Sequence, residues 1–128
     1  MDTRSKIVDW PEAAQRLQKR ASAGAAPKVV VGYFDPLLAA HARSLREAAG
    51  NGKAVVVVTS PARPLLDAAA RQVLVAALEC VEMVTALPQD RLRDLFDVVP
   101  ETAVVSLEAE HARIADGFVR HVRNRHAS

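Results

Sequence analysis

The sequence predicts a single α/β domain, a Rossmann-like doubly wound, mostly parallel sheet of four or five strands with helices on both faces. Three observations carry this expectation. Residues 28–34 and 53–59 are apolar, valine-rich runs with no polar alternation, the signature of strands buried on both faces. Segments with apolar residues at helical spacing separate such runs. Gly, Pro and Asn punctuate the junctions, so strand, helix and strand recur, and parallel neighbours require crossovers of that kind. A chain of 128 residues suits one domain, taken here as 1–128.

Asp9-Trp10-Pro11-Glu12 reads as a helix start, with a capping carboxylate, Pro in the first turn and an acid near the positive end of the dipole. That helix is expected to reach Arg20, and the small residues up to Pro27 end it, making 1–26 an N-terminal helix and connector. The first strand, 28–34, is followed by a helix through His41 to Ala49, stopped by Gly50-Asn51-Gly52. The second strand leads through the loop 60–64 to a helix over 67–79, whose apolar stripe is read as Leu66, Val73, Leu74, Ala77 and Leu78. A third strand covers 81–85. Pro88 opens a further helix with Leu92, Leu95, Phe96 and Val99 on one face, Pro100 ends it, and 102–106 forms a fourth strand. A last helix over 107–124 aligns Leu107, Ile114, Phe118 and Val122, with Arg120, Arg123 and Arg125 as a solvated, dipole-matched end.

Seventeen Lys and Arg against fifteen Asp and Glu leave a net charge of +2, too little to point to a nucleic-acid partner. Cys80 is the only cysteine, which excludes an internal disulfide and a multi-cysteine zinc site; its apolar flank suggests a buried structural thiol. The N-terminus carries no apolar secretory segment and no run is long enough to span a bilayer, so a cytoplasmic protein without a membrane partner is expected. His111, His121 and His126 form no i, i+4 pair, and no structural metal is expected. The absence of G-x-G-x-x-G after any strand argues against a dinucleotide.

In a doubly wound sheet ligands sit beyond the carboxyl ends of the strands, which directs attention to the loops after Phe34, Thr59 and Ser106. The first of these, Gly32-Tyr33-Phe34-Asp35-Pro36-Leu37-Leu38-Ala39-Ala40-His41, resembles the G-x-F-D-x-x-H-x-G-H signature of the cytidylyltransferase-like nucleotidyltransferase superfamily. Gly32, Phe34, Asp35 and His41 keep the family's spacing, whereas Leu38 replaces its first histidine and Ala40 its glycine. Arg63-Pro64 and the stretch from Arg71 to Glu82 are similar to the corresponding R-P and R-x-x-x-L-x-A-L-x-x-V-D segments of heptose-phosphate adenylyltransferases and glycerol-phosphate cytidylyltransferases. The resemblance is clearest over 28–85; at Val105-Ser106-Leu107-Glu108, only Ser106 keeps the family's I-S-[ST]-[ST] pattern.

The resemblance implies transfer of AMP or CMP from ATP or CTP to a sugar or polyol phosphate with release of pyrophosphate. Mg²⁺ would arrive on the nucleotide, and a homodimer is expected. It assigns phosphate contact in catalysis to His41, and nucleotide binding to Gly32, Tyr33, Phe34, Asp35, Arg63, Arg71 and Ser106. Such chemistry rests on donors aimed at phosphate oxygens. Leu38 offers no donor, a loss worth roughly a hundredfold to a thousandfold in rate, and the methyl of Ala40 obstructs close approach to the backbone. Glu108 and Glu110 would set carboxylates against the β- and γ-phosphates. The expected function is therefore a degenerate domain, a weak nucleotide-binding or interaction module with little or no catalysis; the alternative is the active transferase.

The residues also carry plainer readings. Asp35 serves as a loop or helix cap, Phe34 as core, His41 as a surface or capping histidine, and Arg63 and Arg71 as solvated groups or partners of Asp67. Ser106 is read as the cap of the last helix, with Glu108 and Glu110 complementing its dipole. The dimer is expected to use the 10–20 helix and the last helix, through Trp10, Leu17, Phe118 and Val122.

Overall fold

A computed structural model of the chain describes residues 3–25, 27–35, 37 and 39–113. The four strands β1 (Lys28–Gly32), β2 (Ala54–Val58), β3 (Val81–Ala86) and β4 (Val104–Ser106) form one all-parallel sheet in the order β3-β2-β1-β4. The helices α1 (Trp10–Ser22), α2 (Ala39–Ala49), α3 (Ala68–Ala76) and α4 (Arg93–Phe96) cover both faces. A further helix, α5, begins at Glu108 and is described to Arg113. The expected doubly wound α/β fold is the observed one.

Valine builds the sheet because its branched side chain suits a pleated surface buried on both sides. Alternate residues divide between two cores. Val30, Val56, Val58 and Val84 pack with Leu45 and Val75 under α2 and α3, whereas Val29, Val31, Val55 and Val57 pack with Ala13, Leu17 and Leu95 under α1 and α4. The register Val29 to Val55 through Gly32 to Val58 keeps β1 and β2 level, so the loops that follow both leave from one edge of the sheet.

The helix starts follow their caps. Asp9 accepts from the Glu12 amide at 3.0 Å and Asp67 from the Ala70 amide at 2.7 Å. Arg20 forks onto both carboxylate oxygens of Glu82 and ties α1 to β3. Leu17 is fully buried and Trp10 half-buried against the chain's own sheet. Leu17 is thus committed to packing within the chain and Trp10 partly so, while Phe118 and Val122 lie outside the described residues.

Several elements depart from expectation. β1 ends at Gly32 rather than at residue 34, because Phe34 takes a left-handed conformation with φ of 49° and turns the chain out of the sheet. The expected helix after Pro88 is instead a 3₁₀ turn (Gln89–Arg91) followed by the single turn of α4, and Phe96 is exposed. On α3 the buried positions are Arg71, Val75 and Ala76, while Val73 and Leu74 face solvent. An arginine at the centre of the inner face hid that face from a search for apolar periodicity. Cys80 is half-buried. Among the described residues no helix is long and apolar enough to cross a membrane.

Candidate functional site

Strand order reverses between β1 and β4, so the loops after these two strands flank the topological switch point, where doubly wound sheets open a crevice. The first loop supplies Tyr33, Phe34 and Asp35, and α2 behind it supplies His41. The second supplies Leu107 and α5. The Leu107 amide donates to the Val31 carbonyl at 2.7 Å, holding the start of α5 against the end of β1.

The crevice is filled from within by His111, on the first turn and a half of α5. Its ring is buried, and Nδ1 accepts from two successive amides, Tyr33 N at 3.0 Å and Phe34 N at 3.2 Å. The ring stands edge-on to Phe34 and His41, with centroid separations of 4.3 and 4.5 Å. His41 is itself fully buried, not at the surface or capping a helix end. Burial pulls the His41 pKa down against the opposing pull of Glu110 and Asp35, and burial beside His41 depresses His111 to about 3. Both rings are therefore neutral at neutral pH.

Gly32 is explained by the same ring. A Cβ on Gly32 would lie closer than 3.0 Å to the His111 and Phe34 rings, so the glycine gives His111 its place. Gly32→Ala is expected to destabilise the fold by about 1–3 kcal/mol through overpacking. In urea unfolding, His111→Ala should then relieve part of that cost, whereas strictly additive effects would separate the two residues.

Asp35 does organise its loop, though with backbone partners. Its two buried oxygens accept from the Leu65 and Leu66 amides at 2.6 and 2.7 Å, fastening the loop after β2 to the loop after β1. Arg71 completes the same fastening and is only 1% exposed. Nη1 donates to the Thr59 carbonyl at 2.6 Å and the Tyr33 carbonyl at 3.0 Å, Nη2 to Ser60 Oγ at 2.8 Å, and Nε to the Leu66 and Asp67 carbonyls. Desolvation pulls its pKa down and the nearby Asp35 and Asp67 oppose that pull. Arg71 is thus neither solvated nor turned toward a ligand: its guanidinium is committed to main-chain and hydroxyl oxygens of the protein. Arg63 stays exposed on the loop.

Ser106 is the exposed last residue of β4, and Leu107 precedes the first turn of α5, with the His111 amide donating to its carbonyl at 2.8 Å. The expected cap at Ser106 is therefore displaced by one residue. Glu108 and Glu110 act beyond the dipole. Glu108 accepts from Thr59 Oγ1 at 2.7 Å and Glu110 from Ser44 Oγ, so α5 is pinned to the end of β2 and to α2.

The structure thus gathers Gly32, Tyr33, Phe34, Asp35, His41 and Arg71 at one end of the sheet, and leaves Arg63 and Ser106 exposed at its margin. Leu38 lies outside the described residues, and Ala40 is half-buried in the first turn of α2. The sequence reading missed His111, which has no motif of its own; its one signal was a position five residues past the last strand, within reach of the switch point. Among the described residues no three His, Cys, Asp or Glu converge as a metal site would require. No known family model matches the chain, and no curated protein sequence matches it.

Proposed function

We propose that the chain is a nucleotidyltransferase-like domain without catalysis, serving as a weak nucleotide-binding module. The observation that supports this most directly is the engagement of the Tyr33 and Phe34 amides by His111. In an α/β fold these amides, at the carboxyl end of the strand beside the switch point, are the natural receivers of a phosphate, and here a side chain competes for them. The internal commitments of Asp35 and Arg71 support the same reading, since every polar atom of both side chains is already engaged within the protein. The exposed Arg63 is the cation at the margin of this end of the sheet that a nucleotide can reach, with Mg²⁺ carried on its phosphates.

Calorimetric titration with ATP and CTP, each with and without Mg²⁺, tests the reading. Dissociation constants on the order of 1 mM or weaker are expected, with no pyrophosphate release above background when sugar or polyol phosphates are added. Micromolar binding accompanied by pyrophosphate release would overturn it in favour of an active transferase. Complete absence of binding would leave the domain as an interaction module.

A further inference from the structure

We propose that His111 is a displaceable plug, an internal ligand that holds the Tyr33–Phe34 amide pair shut against a small oxyanion and leaves when one binds. The inference deepens the reading above, because it concerns regulation of the same crevice.

Two successive backbone N–H groups aimed at one point form a receptor for an atom with several lone pairs, such as a phosphate or carboxylate oxygen. The imidazole nitrogen that fills it has a single lone pair, shared between donors at 3.0 and 3.2 Å. That lone pair also obliges the proton to sit on Nε2. Nε2 is buried and finds no acceptor among the described residues. The occupant is therefore poorly satisfied at both nitrogens, and a better acceptor for the amides would also release a stranded donor.

The plug belongs to a different element from the receptor. His111 reaches over from α5, so rotation about its side-chain torsions vacates the amides while the Leu107–Val31 bond keeps the helix in place. Glu108 and Glu110 flank the same helix start and are held by Thr59 and Ser44. These fixed carboxylates oppose a highly charged ligand, which favours a small, singly charged oxyanion such as the monoanion of a phosphate.

The test is titration of inorganic phosphate into the whole chain, followed at the Tyr33 and Phe34 amide resonances, for the wild type, His111→Ala and His111→Asn. Alanine removes the acceptor, and asparagine presents an oxygen near the position of Nδ1. Phosphate should bind the alanine variant at least about tenfold more tightly than the wild type, while asparagine stays close to the wild type. Equal phosphate affinity in wild type and alanine variant, or no response of the two amides in either, overturns the plug. If the alanine variant does not fold, His111→Ser is read in its place; if both fail to fold, the ring is purely structural and the proposal falls. ATP and CTP on the same variants separate this inference from the functional reading. Phosphate binding without any gain from the nucleoside supports the plug and sinks nucleotide recognition, whereas nucleotide binding unaffected by His111→Ala does the reverse.

Discussion

Lowering the pH from 7 to 5 is expected to cost the fold about 2 kcal/mol through His111 alone. In the native state burial and the neighbouring His41 hold the His111 pKa at about 3, while in the unfolded chain it returns to the ordinary histidine value of 6.5. Below pH 6.5 the unfolded chain therefore binds a proton that the folded chain refuses. Stability is undiminished above about pH 7 and falls as the pH drops toward 3, reaching a loss of about 4 kcal/mol there. The physical cause is plain in the geometry. A proton on Nδ1 would place a third donor against the Tyr33 and Phe34 amides. His41, whose pKa is also lowered, adds in the same direction. Urea midpoints at pH 7, 6 and 5 measure the effect, and His111→Asn should remove most of the slope. A midpoint unchanged between pH 7 and 5 would show that the ring is not held as described.

Removing the Arg71 guanidinium should cost more than any surface change in this protein. Arg71→Met is expected to destabilise by about 3–5 kcal/mol, the range for breaking a buried charged network by deleting one partner. The Tyr33 and Thr59 carbonyls lose their donor, and the buried Asp35 carboxylate loses its nearby cation. Arg71→Lys should recover little, since one ammonium cannot reach two carbonyls and Ser60 Oγ at once. Arg63→Ala, by contrast, should stay within about 0.5 kcal/mol, as exposed substitutions usually do. Chemical denaturation of the three variants distinguishes a clamp from a ligand contact: Arg71→Met leaving stability unchanged would mean that its guanidinium serves something outside the protein.

Together the two expectations describe one end of the sheet as closed by its own side chains. Arg71 and Asp35 lock the loops after β1 and β2 to each other, and His111 locks the loop after β1 to α5. Phe34 shows how tightly the arrangement is determined. A phenylalanine at φ of 49° is strained by roughly 1–3 kcal/mol, a conformation that persists because its ring is buried and its amide is engaged by His111.

The layered α/β architecture, the strand segments and the cap at Asp9 were legible in the sequence, because these depend on local pattern. Valine runs without alternation require two covered faces, and a carboxylate ahead of three free amides caps a helix wherever the chain folds. The sequence also marked the 32–41 loop, since the spacing of Gly32, Phe34, Asp35 and His41 is contiguous in the chain. Only the tertiary structure decided what those residues do. Arg71 turns inward because two loops separated in sequence bring their carbonyls to it, and α3 consequently buries Arg71 and Val75 rather than Val73 and Leu74. His111 lies 78 positions from the Tyr33 amide that it engages, and no periodicity or spacing rule spans that distance. The strand order β3-β2-β1-β4 makes the contact, by placing the end of β4 beside the end of β1 and so delivering α5 to the crevice. Whether a histidine is a solvated helix residue or a buried ring at the switch point thus depends on which strands are neighbours, and neighbouring strands are chosen by packing of the whole sheet.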